Sequence, residues 1–223
     1  MKGDRKQAIR AHYEPRLRSE LASHAVLDWR SREGQLARIR ALCRNVDLAG
    51  RRVLDLGCGL GDLYAHLTAC GIGCDYTGVD LLEEMVVAAR RRHAGARFLC
   101  ADVFEGDVFE PAAFDVVFAS GVFNLDLGNN EAFLAAAIPR LRRLARECVV
   151  FNLLHRRCPE REPGYCYYDP GRVAAMLREG GCRVELLDGY LPGDFTVLCR
   201  TGPAARRGSC EACALAPCEV HPC

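Results

Sequence analysis

A glycine-rich turn between an apolar strand pattern and the start of a helix limits the folds open to this chain. It lies in residues 53–62, VLDLGCGLGD, with glycines at positions 57, 59 and 61. Glycine permits positive φ angles and lets a ligand approach the backbone closely. A strand, a glycine turn and a helix in this order are typical of nucleotide-binding α/β proteins. The segment therefore predicts a ligand-binding turn at the carboxyl end of a strand in a parallel sheet.

Strand and helix patterns alternate along most of the remaining chain. Short apolar runs at RRVLDLG, CDYTGVD, ARFLCAD, FDVVFAS and ECVVFNLL predict strands, with helical patterns between most of them. This alternation implies right-handed crossovers and a mostly parallel, doubly wound sheet. The last two strands, CRVELLDG and DFTVLCR, are joined only by YLPG. Because that link is too short for a crossover helix, we expect them to be antiparallel neighbours.

Composition excludes several classes of protein. The 223 residues include 30 basic and 29 acidic side chains, so a net charge of +1 creates no field that attracts nucleic acid or anionic membrane. A run of 18 apolar residues, as a transmembrane helix needs, does not occur. The charged start does not read as a signal peptide, so we expect a cytoplasmic protein in which most of the 14 cysteines are free thiols.

Acidic residues around the glycine turn indicate the charge of the ligand. A dinucleotide-binding turn would carry glycine at position 62, where this chain has Asp62. Asp62 and Asp55 would repel a pyrophosphate, but they suit a cationic ligand such as S-adenosylmethionine, which has an ammonium and a sulfonium. Asp80, 19 residues after Gly61 and at the end of the second predicted strand, can accept both hydroxyl protons of a ribose.

In these features the chain resembles the class I S-adenosylmethionine-dependent methyltransferases. The resemblance runs from about Gln35 to Arg200 and is strongest in VLDLGCGLGDL, YTGVDLLEEMV, ARFLCADVF and FDVVFASGVFN, which occur in family order. It implies a Rossmann-like, seven-stranded sheet with the last strand inserted antiparallel, and an enzyme that transfers a methyl group. It implies that the cofactor contacts are Asp55, Gly57, Gly59 and Gly61 at the methionine end, Asp80 at the ribose, and Leu81, Asp102 and Val103 at the adenine. Ser120 and Gly121, which end the fourth strand, complete the predicted cofactor-binding residues.

The methyl acceptor is less clearly indicated. The fourth strand ends in ASGVFN and lacks the Pro-Pro-aromatic motif of methyltransferases that act on adenine or glutamine nitrogens. Asn124 is a candidate for positioning the acceptor and His155, after the fifth strand, for general base catalysis, although each residue type also fits a structural role. Before the first strand, Tyr13, Trp29 and Gln35 are candidates for capping the pocket.

We predict a small-molecule acceptor that is methylated on oxygen, carbon or nitrogen. A methyltransferase acting on RNA or protein is the first alternative, and a basic patch near Ser120 would favour it. A cofactor-binding or metal-binding module without catalysis is the second. The oligomeric state is not readable from the sequence.

Three parts are predicted along the chain. Helical patterns fill residues 4–45 with a break near Trp29, and Ser31 is the predicted N-cap of the following helix. No periodicity is visible after about residue 201. The predicted division is a helical cap over 1–48, an S-adenosylmethionine-binding domain over 49–200 and a cysteine-rich tail over 201–223.

The tail contains the only cluster of cysteines. Cys210 and Cys213 have the CxxC spacing of zinc and iron–sulfur ligands, and Cys218, His221 and Cys223 follow. The pattern predicts a metal site with the four cysteines as ligands and zinc as the expected metal. A tail that binds no metal is the alternative.

Overall fold

Strands and helices alternate along most of the chain, as the sequence predicts. The structure is a computed structural model, and it describes residues 2–18 and 21–201. The helices are α1 Lys2–Leu17, α2 Ser23–Val26, α3 Arg32–Asn45, α4 Asp62–Ala69, α5 Glu83–Arg92, α6 Asn130–Leu144 and α7 Pro170–Glu179. The strands are β1 Arg52–Leu56, β2 Asp75–Asp80, β3 Arg97–Cys100, β4 Phe114–Ala119, β5 Ala145–His155, β6 Tyr167–Tyr168, β7 Arg183–Asp188 and β8 Asp194–Arg200.

The strands form one mixed sheet. Its order is β3-β2-β1-β4-β5-β8-β7, and the two-residue β6 pairs with β5 outside this path. Neighbours from β3 to β5 are parallel, whereas β8 lies antiparallel between β5 and β7. The predicted doubly wound sheet with an antiparallel last strand is therefore confirmed. The sequence does not predict β6, because two residues are too few to show a periodic pattern.

The winding of the sheet reverses beside β1. The chain runs outward from β1 to β2 and β3, and then returns to β4 on the other side of β1. In open α/β sheets, ligands bind in the crevice that such a reversal leaves outside the carboxyl ends of the strands. The glycine turn follows β1 at this point, so the topology places it at the crevice.

Helices cover both faces of the sheet. On one face, α6 and α7 bury apolar side chains such as Ile138 and Leu177. On the other face, Leu42 of α3 and Val86 of α5 belong to a second apolar cluster. Successive residues of the inner strands contribute alternately to the two clusters, which explains why these strands are almost continuously apolar.

The predicted start of α3 is confirmed by its cap. The Ser31 side chain accepts a hydrogen bond from the Gly34 backbone N–H at 3.0 Å, which satisfies one of the free amides at the helix start. Helix α1 packs against the turns that follow β1 and β2. Its residues Ile9, Tyr13 and Leu17 contact an apolar cluster that includes Leu60 of the glycine turn and Leu82, which follows β2. Helix α1 therefore lies over the carboxyl-end edge of the sheet. No helix within the described residues is long and apolar enough to cross a membrane.

A buried ion pair connects α3 to the sheet and to the crevice. The Arg38 side chain donates from Nε to Asp194 Oδ1 at 2.9 Å and from its terminal nitrogen to Asp194 Oδ2, and the two side chains are 8% and 3% exposed. Asn152 donates to the same carboxylate at 3.0 Å and accepts from the Gly121 backbone N–H at 3.0 Å. The Arg38 guanidinium also lies 4.2 Å from the centre of the Trp29 ring.

We predict that Asp194→Asn lowers the free energy of unfolding by about 3–5 kcal/mol, because it leaves the Arg38 charge buried without a counter-charge. The double variant Arg38→Met/Asp194→Asn removes both charges and should be more stable than Asp194→Asn alone. Urea unfolding followed by circular dichroism measures both. A loss below about 1 kcal/mol in the single variant, within the range of an exposed pair, would contradict the prediction.

Candidate active site

A cleft lies at the carboxyl ends of β1, β2, β3 and β4. Its volume is about 1010 Å³, including the open mouth. The sheet side is formed by the turns that follow these strands, and the opposite side by α1, residues 27–29 and Tyr165. Of the predicted cofactor-binding residues, the following line the cleft: Gly57, Gly59, Asp80, Leu81, Asp102, Val103, Ser120 and Gly121. Asp55 and Gly61 do not.

The glycines of the turn are required by backbone conformation and by close packing. Gly57 and Gly59 have φ angles of +69° and +52°, which residues other than glycine rarely adopt. A Cβ at Gly57 would lie 2.7 Å from the Val122 side chain, and one at Gly59 would lie 2.5 Å from Leu27. Gly61 also has a positive φ of +83°, but it starts α4 and faces His93 rather than the cleft.

Asp80 joins the end of β2 to the glycine turn. One carboxylate oxygen accepts from the Gly59 backbone N–H at 3.0 Å, and the other accepts from the Leu82 backbone N–H at 3.0 Å. Burial raises the pKa of this carboxyl, while the backbone hydrogen bonds oppose that rise. Because each carboxylate oxygen has two lone pairs, both oxygens keep acceptor capacity toward the cleft.

Asp55 lies beneath the glycine turn rather than in the cleft. It is 4% exposed, and the Tyr76 hydroxyl donates to it at 2.7 Å. Burial, together with the negative charges of Asp80 and Asp62, raises the pKa of Asp55 to about 7. Its protonation therefore changes near neutral pH.

Asp62, which the sequence places among the acids facing a cation, has a structural contact instead. Its carboxylate accepts from the Ser23 hydroxyl at 2.6 and 2.8 Å and from Gln35 Nε2 at 3.0 Å. These bonds attach α2 and α3 to the start of α4. Gln35, predicted as a pocket cap, therefore holds the cap in place without lining the cleft.

The predicted adenine side contains a contact that was not predicted from the sequence. Arg5 of α1 forms an ion pair with Asp102, and its guanidinium lies 5.3 Å from the Phe104 ring centre and 4.8 Å from that of Phe133. Arg5, Ile9 and Tyr13 all line the cleft. Their spacing of four residues places them on one face of a helix, which is the sequence signal that indicates this contact.

The opposite end of the cleft is formed by the turn after β4. The edge of the Trp29 ring packs on Gly121, where a Cβ would lie 2.9 Å from the ring. Asn124 lines the cleft and is 3% exposed. Its Oδ1 atom has no hydrogen-bond partner among the described residues. A buried amide oxygen without a partner is costly, so it is suited to accept a hydrogen bond from a ligand.

His155, the predicted general base, lies outside the cleft. It ends β5 with 3% exposure and does not line the cleft. Its Nδ1 accepts from the Arg157 backbone N–H at 2.9 Å, and the Arg157 guanidinium lies 2.9–3.1 Å from Nε2. Nδ1 is therefore occupied by the Arg157 backbone, and Nε2 lies beside the Arg157 guanidinium rather than in the cleft.

A second feature that the sequence did not predict is a polar cluster on the roof of the cleft, the side opposite the sheet formed by α1, residues 27–29 and Tyr165. Asp28 and Tyr165 line the cleft, and the Tyr165 hydroxyl donates to the Asp28 carboxylate. His12 Nε2 lies 2.8 Å from the same carboxylate. The three residues come from separate parts of the chain, so the sequence carries no spacing signal for them.

The predicted metal ligands Cys210, Cys213, Cys218 and Cys223 lie outside the described residues. Within residues 2–18 and 21–201, no group of three or more His, Cys, Asp or Glu side chains is placed to hold a metal ion.

Comparison with known proteins identifies the family. A family model described as "Methyltransferase domain" matches residues 53–146. The chain is 33% identical over 156 residues to "Putative methyltransferase Rv1506c" of Mycobacterium tuberculosis, which covers 66% of this chain and 90% of that protein. It is 27% identical over 185 residues to the ubiquinone biosynthesis O-methyltransferase of Thiobacillus denitrificans, covering 73% of this chain and 78% of the relative.

A solved structure shares the fold. The magnesium protoporphyrin IX methyltransferase of Synechocystis PCC 6803, with bound S-adenosylhomocysteine, aligns with a TM-score of 0.64 at 16% identity. The alignment covers 88% of this chain and 100% of that one. The glycine turn, the acids at the strand ends and these relatives lead to one conclusion: the chain belongs to the class I S-adenosylmethionine-dependent methyltransferases.

Proposed function

We propose that this methyltransferase acts on a small molecule, through an oxygen, carbon or nitrogen atom. The observation that carries the proposal is the roof of the cleft, where α1 residues such as Ile9 and Tyr13 lie opposite the sheet together with Trp29. An acceptor has to fit beneath this roof to reach the fourth-strand turn. The name of the ubiquinone biosynthesis relative, which refers to a small-molecule product, is consistent with such an acceptor.

The charge of the cleft supports the same choice. Arg5 is the one Lys or Arg among the described residues that line it, and its charge is paired with Asp102. A nucleic-acid acceptor would favour several basic side chains with interleaved aromatic residues near the catalytic position. This arrangement gives the RNA alternative no support.

For the cofactor, we propose those contacts predicted from the sequence that line the cleft. When bound, S-adenosylmethionine supplies an electrophilic methyl group on a sulfonium. Gly57 and Gly59 give it close access to the backbone, and Asp80 offers acceptor oxygens for ribose hydroxyls. Asp55, beneath the turn, suits its positive charge when ionised. Leu81, Asp102 and Val103 are proposed at the adenine, with Ser120 and Gly121 at the fourth-strand end.

The chain's own residues then align the acceptor and exclude water. Methyl transfer is an in-line displacement, so alignment and desolvation supply much of the rate enhancement. Val122, Leu125 and Trp29 provide apolar walls, and we propose that Asn124 Oδ1 accepts a hydrogen bond from the acceptor. The roles predicted for Gly61 in cofactor contact and for His155 in catalysis are not supported by the cleft geometry.

We also propose the division into a cap, residues 1–48, a cofactor-binding domain, 49–200, and a tail, 201–223. The cap is functional in this proposal, because Arg5, Tyr13 and Trp29 line the cleft. Zinc binding by the tail and a cytoplasmic location stay predictions from the sequence.

The test of the small-molecule acceptor uses methyl-labelled S-adenosylmethionine and an extract of the source organism separated by size. We expect label to appear in the small-molecule fraction only when active protein is present. Heat-inactivated protein is the control. Label confined to RNA or protein would contradict the proposal.

We predict that Asp80→Asn weakens binding of S-adenosylhomocysteine at least tenfold. The change removes charge from hydrogen bonds to the ribose, which contribute about 1.5–3 kcal/mol each when one partner is charged. Calorimetry measures the affinity. The matched control is Asp75→Asn, at the exposed start of the same strand, which should stay within twofold of wild type; equal affinity in a folded Asp80→Asn would show that the ribose is held elsewhere.

A third prediction concerns Asp55. Because its pKa is near 7 in the free protein, the carboxyl is mostly protonated at pH 6, and a cationic group bound nearby lowers its pKa. Binding of S-adenosylhomocysteine should therefore release a proton, and affinity should rise from about pH 5 to pH 7 and level off above it. Calorimetry across this range should show a smaller slope for Asp55→Asn. The same slope in both proteins would contradict the prediction.

A further inference from the structure

The polar cluster on the cleft roof has no part in the proposed cofactor contacts. The Asp28 carboxylate accepts from the Tyr165 hydroxyl, lies 2.8 Å from His12 Nε2 and pairs with the Arg16 guanidinium at 3.0 Å. Asp28 and Tyr165 line the cleft, whereas His12 and Arg16 do not. The cluster therefore places a phenol and a carboxylate at the cleft, and His12 and Arg16 of α1 contact that carboxylate from outside the cleft.

The backbone around Asp28 and Tyr165, the two residues of the cluster that line the cleft, fixes their positions. Asp28 has a φ angle of +60°, a left-handed conformation that aspartate tolerates better than most residues. Tyr165 forms an isolated antiparallel bridge with Leu125, and the next residue, Cys166, donates from its backbone N–H to the Asn124 carbonyl at 2.8 Å. The segment that carries Tyr165 is thus bonded directly to the loop that carries Asn124.

The protonation states suit proton transfer from a ligand. Burial tends to raise the pKa of Asp28, but the hydrogen bonds from Tyr165 and His12 and the charge of Arg16 bring it below its ordinary value. Burial and the Asp28 charge raise the pKa of Tyr165, and the same two effects raise the pKa of the neighbouring Tyr13. At neutral pH the cluster therefore contains an ionised carboxylate that accepts from a neutral phenol.

We infer that the acceptor is a hydroxyl compound and that Tyr165 and Asp28 are catalytic residues that remove its proton, with His12 as a positioning residue. This inference rests on the proposed small-molecule acceptor. As the acceptor oxygen forms its bond to the methyl carbon, the bond from that carbon to sulfur breaks and its electron pair stays on sulfur. The hydroxyl proton passes to the Tyr165 oxygen while the Tyr165 proton passes to Asp28, which later releases it to water.

A carboxylate with a low pKa is a sufficient base for this step. During methyl transfer the acceptor oxygen develops the character of a protonated ether, which is a much stronger acid than a carboxylic acid. The proton therefore moves downhill late in the reaction, and the carboxylate need not ionise the free hydroxyl beforehand. General base catalysis of this kind typically contributes about 10²–10⁴-fold in rate.

The test compares variants on the acceptor purified from the small-molecule fraction, with methyl-labelled S-adenosylmethionine as the methyl donor. We expect Asp28→Asn to lower kcat at pH 7 by about 100-fold or more, and Tyr165→Phe by at least tenfold. In Asp28→Asn, the ratio of variant to wild-type kcat should rise with pH, because hydroxide that removes the proton from the bound acceptor replaces the missing base. His12→Gln should lower kcat less than Asp28→Asn does.

Matched controls separate the cluster from general effects. Asp107→Asn changes an aspartate whose side chain is 79% exposed, and Tyr167→Phe changes a tyrosine two residues after Tyr165 that does not line the cleft. Both should keep kcat within twofold. Trp29, the only tryptophan of the chain, lines the cleft, so its fluorescence measures acceptor binding without cofactor; affinity in Asp28→Asn should stay within threefold of wild type.

The chemistry of the labelled product tests the acceptor class. A methyl ether withstands mild alkali and releases volatile methyl iodide in hot hydriodic acid. Label released by mild alkali, which indicates an ester, or label retained on carbon or nitrogen would overturn the hydroxyl inference. A pH dependence of Asp28→Asn parallel to wild type would overturn the proton-transfer role. Label found only in macromolecules would instead overturn the proposed function itself.

Discussion

The buried charge of Asp194 is the constraint on which the arrangement of the site depends. A carboxylate at 3% exposure is tolerated only with a counter-charge and hydrogen bonds, and it has both in Arg38 and Asn152. Each partner reaches one wall of the cleft. Asn152 fixes the Gly121 amide after β4, and Arg38 packs on the Trp29 ring, which lies on Gly121. One buried charge therefore sets the position of the fourth-strand turn and of the roof above it.

The cap is attached to the sheet by polar contacts at several points. Asp62 at the start of α4 holds Ser23 and Gln35, and Asp102 after β3 holds Arg5. These hydrogen bonds and ion pairs fix the orientation of the cap helices relative to the sheet, whereas the apolar contacts of α1 bury surface without fixing an orientation. The cap is thus both a packed lid and an oriented wall of the cleft. This explains why an α/β sheet with a widespread topology can present a particular set of side chains to its acceptor.

Sequence patterns could predict the fold because its determinants are local. The glycine turn, the alternation of strands and helices, and the short YLPG link each act over a few residues, and the structure has the topology they imply. Side-chain partners across the fold were not predictable in this way. Asp62 has the spacing of a cleft acid, yet its partners Ser23 and Gln35 come from the cap. His155 has the position of a strand-end base, but the Arg157 backbone, two residues later, occupies its Nδ1 atom, and the Arg157 guanidinium lies beside Nε2.

The acids of the cleft differ in how their charge is balanced, and this difference separates their roles. Asp102 is paired with Arg5 and Asp28 with Arg16, both from α1. Among the hydrogen bonds and ion pairs of the described residues, Asp80 has backbone N–H donors only. An ionised Asp80 therefore keeps its negative charge for a ligand, which is what the proposed contact with ribose hydroxyls requires. Asp28, with its charge offset and a phenol in front of it, is instead arranged to receive a proton.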